Sequence, residues 1–287
     1  MKEYILDHLC GDIPYLVSIT RKKIRNIAAR NSESLALSKT EIGEYAKKNS
    51  IFGNAEYQIY EELSGHIKIS SEKKALFVSV GKNGSSKVIQ TMIEDLLHKD
   101  FKSRDEYICY RNLWYSKVET KINFALELDK IINDNSYFKF TIVRNPYQRL
   151  VSAWKNRVRD KSCLVHNIGY YRDFRTFSFP KFVNYIYKNK FNYSNLDQHW
   201  RPQHICIYSP VIEYDFIGHL ENFNNDFKFI LDKIGGSKNS YEKVNQRVNS
   251  TDKSDLRSFY TKELQDKVYD IYQKDFEMFN YGYEIPD

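Results

Sequence analysis

Apolar and polar positions along the chain fall into a repeating order of short apolar run, polar turn, then helical stripe. Leu76-Phe-Val-Ser-Val80 is a compact, β-branched apolar run and reads as a buried strand. Gly81-Lys-Asn-Gly-Ser-Ser86 interrupts it. Val88, Ile89, Met92, Ile93, Leu96 and Leu97 then recur at helical spacing. The order returns at Tyr137-Phe-Lys-Phe-Thr-Ile-Val143, which alternates and then turns continuously apolar. It ends at Arg144-Asn145-Pro146, where Asn145 suits a helix N-cap and Pro146 the first helical position. The helix that begins there has Tyr147, Leu150, Val151 and Trp154 as its buried face, while Arg149 and Ser152, three apart, share another. A third strand, Tyr214-Asp-Phe-Ile-Gly218, leads through Leu220-Glu221 into a helix over 225–234 that Gly235-Gly236 stops.

The remaining elements are less regular. Residues 125–132 read as helix and Asn133-Asp-Asn-Ser136 as a turn. A short helix is expected around 182–187, and 245–252 reads as a polar loop. Leu256, Phe259, Tyr260, Leu264, Val268, Ile271 and Tyr272 mark a last amphipathic helix. Residues 1–70 carry scattered helical pairs, Ile5 with Leu9 and Ile42 with Tyr45 and Ala46. Ser38-Lys-Thr-Glu41 has the form of a capping box. Strands alternating with helices predict an α/β fold with a central, mostly parallel sheet flanked by helices. The division expected is a helical lead-in over 1–70 and one compact unit over 71–287.

Composition narrows this picture a little. With 287 residues and 41% hydrophobic positions, a sizeable core is possible. The net charge of +7 suits an anionic ligand without requiring one. Arg21-Lys-Lys-Ile-Arg25, the densest basic run, reads as a solvated helix face. Cys10, Cys109, Cys163 and Cys206 have no metal-ligand spacing and are too few for a disulfide scaffold. Residues 1–50 contain no apolar run near the ~20 residues a membrane helix needs. The expectation is a soluble, cytoplasmic protein with no membrane span.

Strand, glycine loop and helix N-terminus together make a cradle for phosphate, because loop N–H groups and the helix dipole both favour an anion. Lys82 adds full charge. A P-loop kinase or NTPase would need G-x-x-x-x-G-K-[ST]. Here Ser86 precedes Lys87, and Val88 stands where a Mg²⁺-binding hydroxyl belongs. A nucleic-acid or polyanion binding module would not require Arg144-Asn-Pro at a strand–helix junction. Arg144, at the carboxyl end of the second strand, supplies a second anion site where open α/β sheets bind ligands. Two such junctions fit a ligand charged at both ends.

Three stretches resemble sulfotransferase family 2, the carbohydrate sulfotransferases related to the chondroitin 4-O enzymes. Residues 78–86 are similar to the family's 5′-phosphosulfate loop, usually Pro-Lys-Thr-Gly with small hydroxyl residues after it. Val143-Arg-Asn-Pro-Tyr-Gln-Arg-Leu-Val-Ser-Ala-Trp154 is similar to its 3′-phosphate motif. His199-Trp-Arg-Pro-Gln203, Tyr214-Asp-Phe-Ile-Gly218, Glu221 and Tyr272-x-x-Asp275-Phe-Glu-Met-Phe279 complete the match, which runs from about 74 to 283. Gly81 stands where the family usually has Pro, Asn83 where Thr or Ala is common, and Asn145 where Asp is frequent. Ser209 lies near the place of a second cysteine that lumenal members carry, which agrees with a reducing compartment.

The resemblance implies a P-loop-like sulfotransferase fold and, as function, transfer of the sulfuryl group of 3′-phosphoadenosine 5′-phosphosulfate to a hydroxyl of a carbohydrate. It implies no metal and no nucleic-acid partner, and a bacterial member is expected. Donor-binding residues would be Lys82, Asn83, Gly84, Ser85 and Ser86 at the sulfate end, and Arg144 and Ser152 at the 3′-phosphate. Lys82 would meet the bridging oxygen where charge develops. His199 is the first candidate for the general base, with His98, Glu94 and Glu221 behind it. Arg149 reads as an ion-pair former within the structure, and Trp154 and Trp200 as core or wall before sugar platform.

Overall fold

The computed structural model describes residues 40–49, 63, 65–97, 101, 103, 105–107, 128–159, 177–192, 196–244 and 256–286. The readings made at Ile5, Leu9, Ser38, His98 and residues 245–252 lie outside the described residues. The first described element is helix α1 (Glu41–Asn49), whose Ile42 and Ala46 are buried. Strands β1 (Ile67–Ser70) and β2 (Ala75–Val78) form an antiparallel hairpin. The loop after β2 enters helix α2 (Ser85–Leu97). Strand β3 (Phe138–Val143) pairs parallel to β2 and runs into helix α3 (Pro146–Ala153), which continues as a π-helix (Trp154–Arg159).

Helix α4 (Phe179–Lys188) and the one-turn helix α5 (Gln203–Cys206) precede strand β4 (Phe216–His219), which is parallel to β3. A 3-10 turn (Leu220–Asn222), helix α6 (Phe223–Ile234), helix α7 (Lys238–Val244), a second 3-10 turn (Leu256–Phe259) and the long helix α8 (Lys262–Met278) complete the described chain.

The sheet order is β1-β2-β3-β4, so the expected α/β fold with a mostly parallel sheet is borne out. The alternation along the strands decides which face each residue covers. Leu76, Val78 and Val143 join Ile42, Leu63, Ile207 and Phe279 on one side. Ala75, Phe77, Phe140 and Ile142 join Val88, Met92, Phe227 and Ile230 on the other, under α2 and α6. Phe77 and Phe140 stack there at 5.0 Å between ring centroids. A third cluster lies off the sheet, where Tyr147, Leu150, Phe182, Trp200 and Phe276 join α3, α4 and α8.

Capping follows the sequence closely. The Asn145 side chain accepts from the N–H groups of Tyr147 and Gln148, and Pro146 opens α3. The sequence reading missed β1, whose IKIS is too short and too polar at Lys68 to stand out before its partner is known. Since β1 pairs with β2, the first hairpin of the sheet straddles residue 70. Helix α7 was also not foreseen, being largely polar and only seven residues long. Because β2, β3 and β4 are parallel neighbours, about 4.8 Å apart, their carboxyl ends open side by side on one edge.

Candidate active site

The loop after β2 is a tight turn. Asn83 N–H donates to Val80 O at 3.4 Å, and Lys82 adopts a left-handed φ of 73°. A side chain there is strained and needs support from its surroundings. Two guanidinium groups give that support. Arg144 Nη1 donates to Lys82 O at 3.2 Å, and Arg149 Nε donates to Gly81 O at 3.1 Å. Gly84 is also left-handed, at φ 74°, and a Cβ there would lie 2.8 Å from Leu220 Cδ1.

Asn83 is fully buried, and its amide donates to Ile142 O at 3.0 Å and to Gln203 Oε1 at 2.7 Å. Its side chain thus fastens the loop to β3 and to Gln203. Ser85 Oγ donates to Val80 O at 2.8 Å, so that hydroxyl closes the loop, whereas Ser86 is exposed. The first backbone bond into α2 runs from Lys87 N–H to Gly84 O, 2.9 Å. The N–H groups of Gly84, Ser85 and Ser86 precede it and form the positive end of the helix.

Arg144 sits at the neighbouring junction. Gln203, itself fully buried, brackets it: Arg144 N–H donates to Gln203 Oε1 at 2.9 Å, and Gln203 Nε2 donates to Arg144 O at 2.8 Å. Burial draws the Arg144 guanidinium below its usual range, Glu221 offsets part of this, and Arg149 adds to it. Arg144 Nε is buried with no hydrogen-bond partner among the described residues. Ser152 is buried two turns into α3, and no hydrogen bond joins it to Arg144 among the described residues.

His199 lies against the start of the loop. A Cβ on Gly81 would come within 2.9 Å of His199 Cδ2, so the ring fills the space a Pro would take there. His199 Nδ1–H donates to Asp197 Oδ1 at 2.5 Å, and the same oxygen accepts His199 N–H at 2.8 Å. Arg157 Nη2 donates to His199 Nε2 at 2.5 Å. Burial lowers the proton affinity of His199; Asp197 works against this, and Arg157 and Lys82 add to it. With Asp197 accepting at Nδ1 and Arg157 donating to Nε2, the two hydrogen bonds assign the ring proton to Nδ1.

The two other base candidates among the described residues, Glu221 and Glu94, are committed elsewhere. Glu221 accepts Asn145 N–H at 2.8 Å and Tyr281 O–H at 3.0 Å. Glu94 lies well down α2 and pairs with Lys243 at 3.1 Å. Among the described residues Arg149 makes no ion pair of the kind expected for it. All three of its bonds go to carbonyls, those of Gly81, of Arg201 at 2.8 Å and of Gln198 at 2.8 Å. Trp200 is fully buried against Phe182, and Trp154 Nε1 donates to Phe177 O at 2.9 Å, so both are core or wall.

The sequence reading missed Asp197, Gln203, Arg157 and the bracing residues Asp275 and Tyr281. Asp197 carried a signal, an Asx turn onto the residue two places on. Gln203 and Asp275 stand in stretches that carry the resemblance, but no role was read for either, since their partners are distant in the chain. Asp275, fully buried, accepts from Gln203 N–H at 2.7 Å, His204 N–H at 2.9 Å and His204 Nδ1–H at 2.6 Å.

The sequence model of the sulfotransferase family matches residues 65–282. Carbohydrate sulfotransferase 9 of Homo sapiens is 24% identical over 263 residues, covering 83% of this chain and 58% of the relative. Carbohydrate sulfotransferase 11 of Mus musculus is 27% identical over 173 residues, covering 51% and 47%. Carbohydrate sulfotransferase 10 of Xenopus laevis is 29% identical over 171 residues, covering 51% and 48%. The chain thus spans about half the length of the relatives it matches. No solved structure matches.

Proposed function

This chain belongs to the sulfotransferase family, and from that premise we propose that it transfers a sulfuryl group from 3′-phosphoadenosine 5′-phosphosulfate to a hydroxyl of a carbohydrate. The observation that carries this reading is the convergence on one sheet edge of a lysine loop at a helix N-terminus and a half-buried arginine whose buried Nε has no hydrogen-bond partner among the described residues. Those two groups fit a donor with anionic groups at both ends. Gly84, Ser85 and Ser86 N–H groups would hold the 5′-phosphosulfate, and Arg144 the 3′-phosphate. When bound, the donor supplies a sulfur already activated by its anhydride bond.

The residues of the chain do the rest. Lys82 donates to the bridging oxygen, where negative charge grows as the S–O bond breaks. His199 takes the proton of the acceptor hydroxyl on Nε2, while that oxygen forms its new bond to sulfur. Asp197 stabilises the imidazolium through Nδ1–H, as orienting carboxylates do. Val88 is fully buried where a P-loop enzyme would carry its metal-binding hydroxyl, which argues against phosphoryl transfer from ATP. Cys206 is a buried thiol 3.8 Å from the carbonyls of Gln198 and Arg201.

The test is transfer of labelled sulfate from the donor to a panel of glycans, lipids and small phenols. Label is expected on a glycan. Adenosine 3′,5′-bisphosphate should raise the melting temperature more than ATP with Mg²⁺. Equal or reversed shifts would sink the donor assignment, and label only on phenols would sink the acceptor class.

A further inference from the structure

Arg157 stands one residue beyond the position that plain helical counting from Arg149 would bring under that side chain. In an α-helix, two turns take about seven residues, so Asn156 would fall beneath Arg149. The stretch from Trp154 to Arg159 is instead a π-helix, whose wider i→i+5 turn holds one more residue. The extra residue gives Arg157 the place of Asn156, on the face that looks at the loop and at His199. π-turns inside α-helices occur frequently at functional sites.

The geometry around His199 is closed on three sides. Asp197 takes Nδ1–H at 2.5 Å, Gly81 lies under the ring, and Arg157 Nη2 donates to Nε2 at 2.5 Å. Nε2 is the atom a general base would use, and its lone pair is already engaged. Arg157 Nε is buried with no hydrogen-bond partner among the described residues. The charged groups facing His199 are Asp197, Arg157 and Lys82, one anion and two cations.

We propose that Arg157 is a positioning residue that latches the base: with Asp197 it fixes the proton of His199 on Nδ1 and covers Nε2, and an acceptor hydroxyl gains Nε2 by displacing the Arg157 Nη2. The inference rests on the reading of His199 as base. Its consequence is selectivity against water. A bare base beside an activated anhydride would pass sulfate to any water that entered. A covered base needs an incoming molecule that offers the displaced guanidinium new oxygen acceptors, and a polyhydroxylated acceptor does that while a single water does not. In the displaced arrangement the acceptor O–H proton passes to Nε2, the acceptor oxygen bonds to sulfur, and the bridging S–O bond breaks toward Lys82.

Arg157→Gln, Arg157→Lys and the unmodified chain are compared in two measurements. The first is the NMR titration of the His199 ring protons with no substrate present. Arg157→Gln removes the cation from Nε2, so its midpoint should move to higher pH, while Arg157→Lys should stay nearer the unmodified value. An unchanged midpoint in Arg157→Gln would overturn the latch whatever the reaction is. The second is release of free sulfate from the donor without acceptor, relative to transfer with acceptor. That ratio should rise severalfold in Arg157→Gln, with affinity for adenosine 3′,5′-bisphosphate retained. An unchanged or lower ratio would overturn the gating role. If the unmodified chain neither binds the bisphosphate nor moves sulfate, the functional reading fails instead, and the titration still decides whether Arg157 covers His199.

Discussion

Lys82 combines a strained backbone with a charge at the centre of the site, and both features can be probed one residue at a time. Its φ of 73° is held by bonds from Arg144 and Arg149 to successive loop carbonyls. Lys82→Ala should lower kcat by about 10²–10³-fold, the usual loss when one donor to developing charge is removed, and should change bisphosphate affinity less. Arg144→Ala should do the reverse. A charged hydrogen bond is worth about 1.5–3 kcal/mol, so bisphosphate binding should weaken by roughly 10–100-fold in calorimetry. Full turnover in Lys82→Ala, measured where chemistry limits the rate, would remove it from the mechanism.

His199 makes a further expectation, through pH. Its affinity for a proton is lowered on folding, first by burial and then by Arg157 and Lys82, with Asp197 opposing. The unfolded chain therefore binds that proton more readily. The contribution to stability is complete above the ordinary value of 6.5 and is lost as pH falls below it toward the lowered folded value. Melting temperature should fall from pH 7 to 5.5, and His199→Gln should flatten that fall. A fall of equal steepness in His199→Gln would assign it to other groups.

Elements carry the next level of the site, and this is where reading the sequence succeeded and stopped. The strand–loop–helix at β2 and the strand–cap–helix at β3 were legible because their signals are local: an apolar run, small residues, Asn145 and Pro146. Lys82 and Arg144 stand at those two junctions, whereas His199 was proposed from the resemblance carried by His199–Gln203. What ties those elements together was not legible, because it depends on contacts between distant segments. Gln203 bonds both to the loop, through Asn83, and to both backbone groups of Arg144. Arg149 bonds the loop to the segment that carries His199. The π-turn that re-aims Arg157 has no marker that helical counting would register. Gln203→Leu keeps most of the volume and leaves Asn83 Nδ2 with one acceptor fewer and two Arg144 backbone groups unpaired. Each buried group left so costs about 1–3 kcal/mol, so a loss of roughly 2–6 kcal/mol in denaturant unfolding is expected, together with weaker bisphosphate binding. A variant that kept both stability and affinity would show that the tie is dispensable.

At the scale of the molecule, the site is an edge of the sheet braced from behind by the end of the chain. Tyr272 of α8 donates to Trp200 O at 2.6 Å, and Asp275 receives the N–H groups that open α5. Tyr281, just past the helix, donates to Glu221 beside Arg144. None of these residues stands on the loop, yet each fixes a segment that does. Folding and ligand binding should therefore be linked through α8. Asp275→Asn places an amide that donates where three donors converge, so it should lower the melting temperature markedly. The informative quantity is what bound nucleotide then restores. For a ligand at 100 times its Kd the gain is about 2.7 kcal/mol, and it shrinks as Kd rises. At one fixed concentration of adenosine 3′,5′-bisphosphate, the gain in melting temperature should be smaller in Asp275→Asn than in the unmodified chain, because Gln203 and with it Arg144 lose their support. An equal gain would mean that α8 stabilises the fold without shaping the site, and the brace would be structural alone.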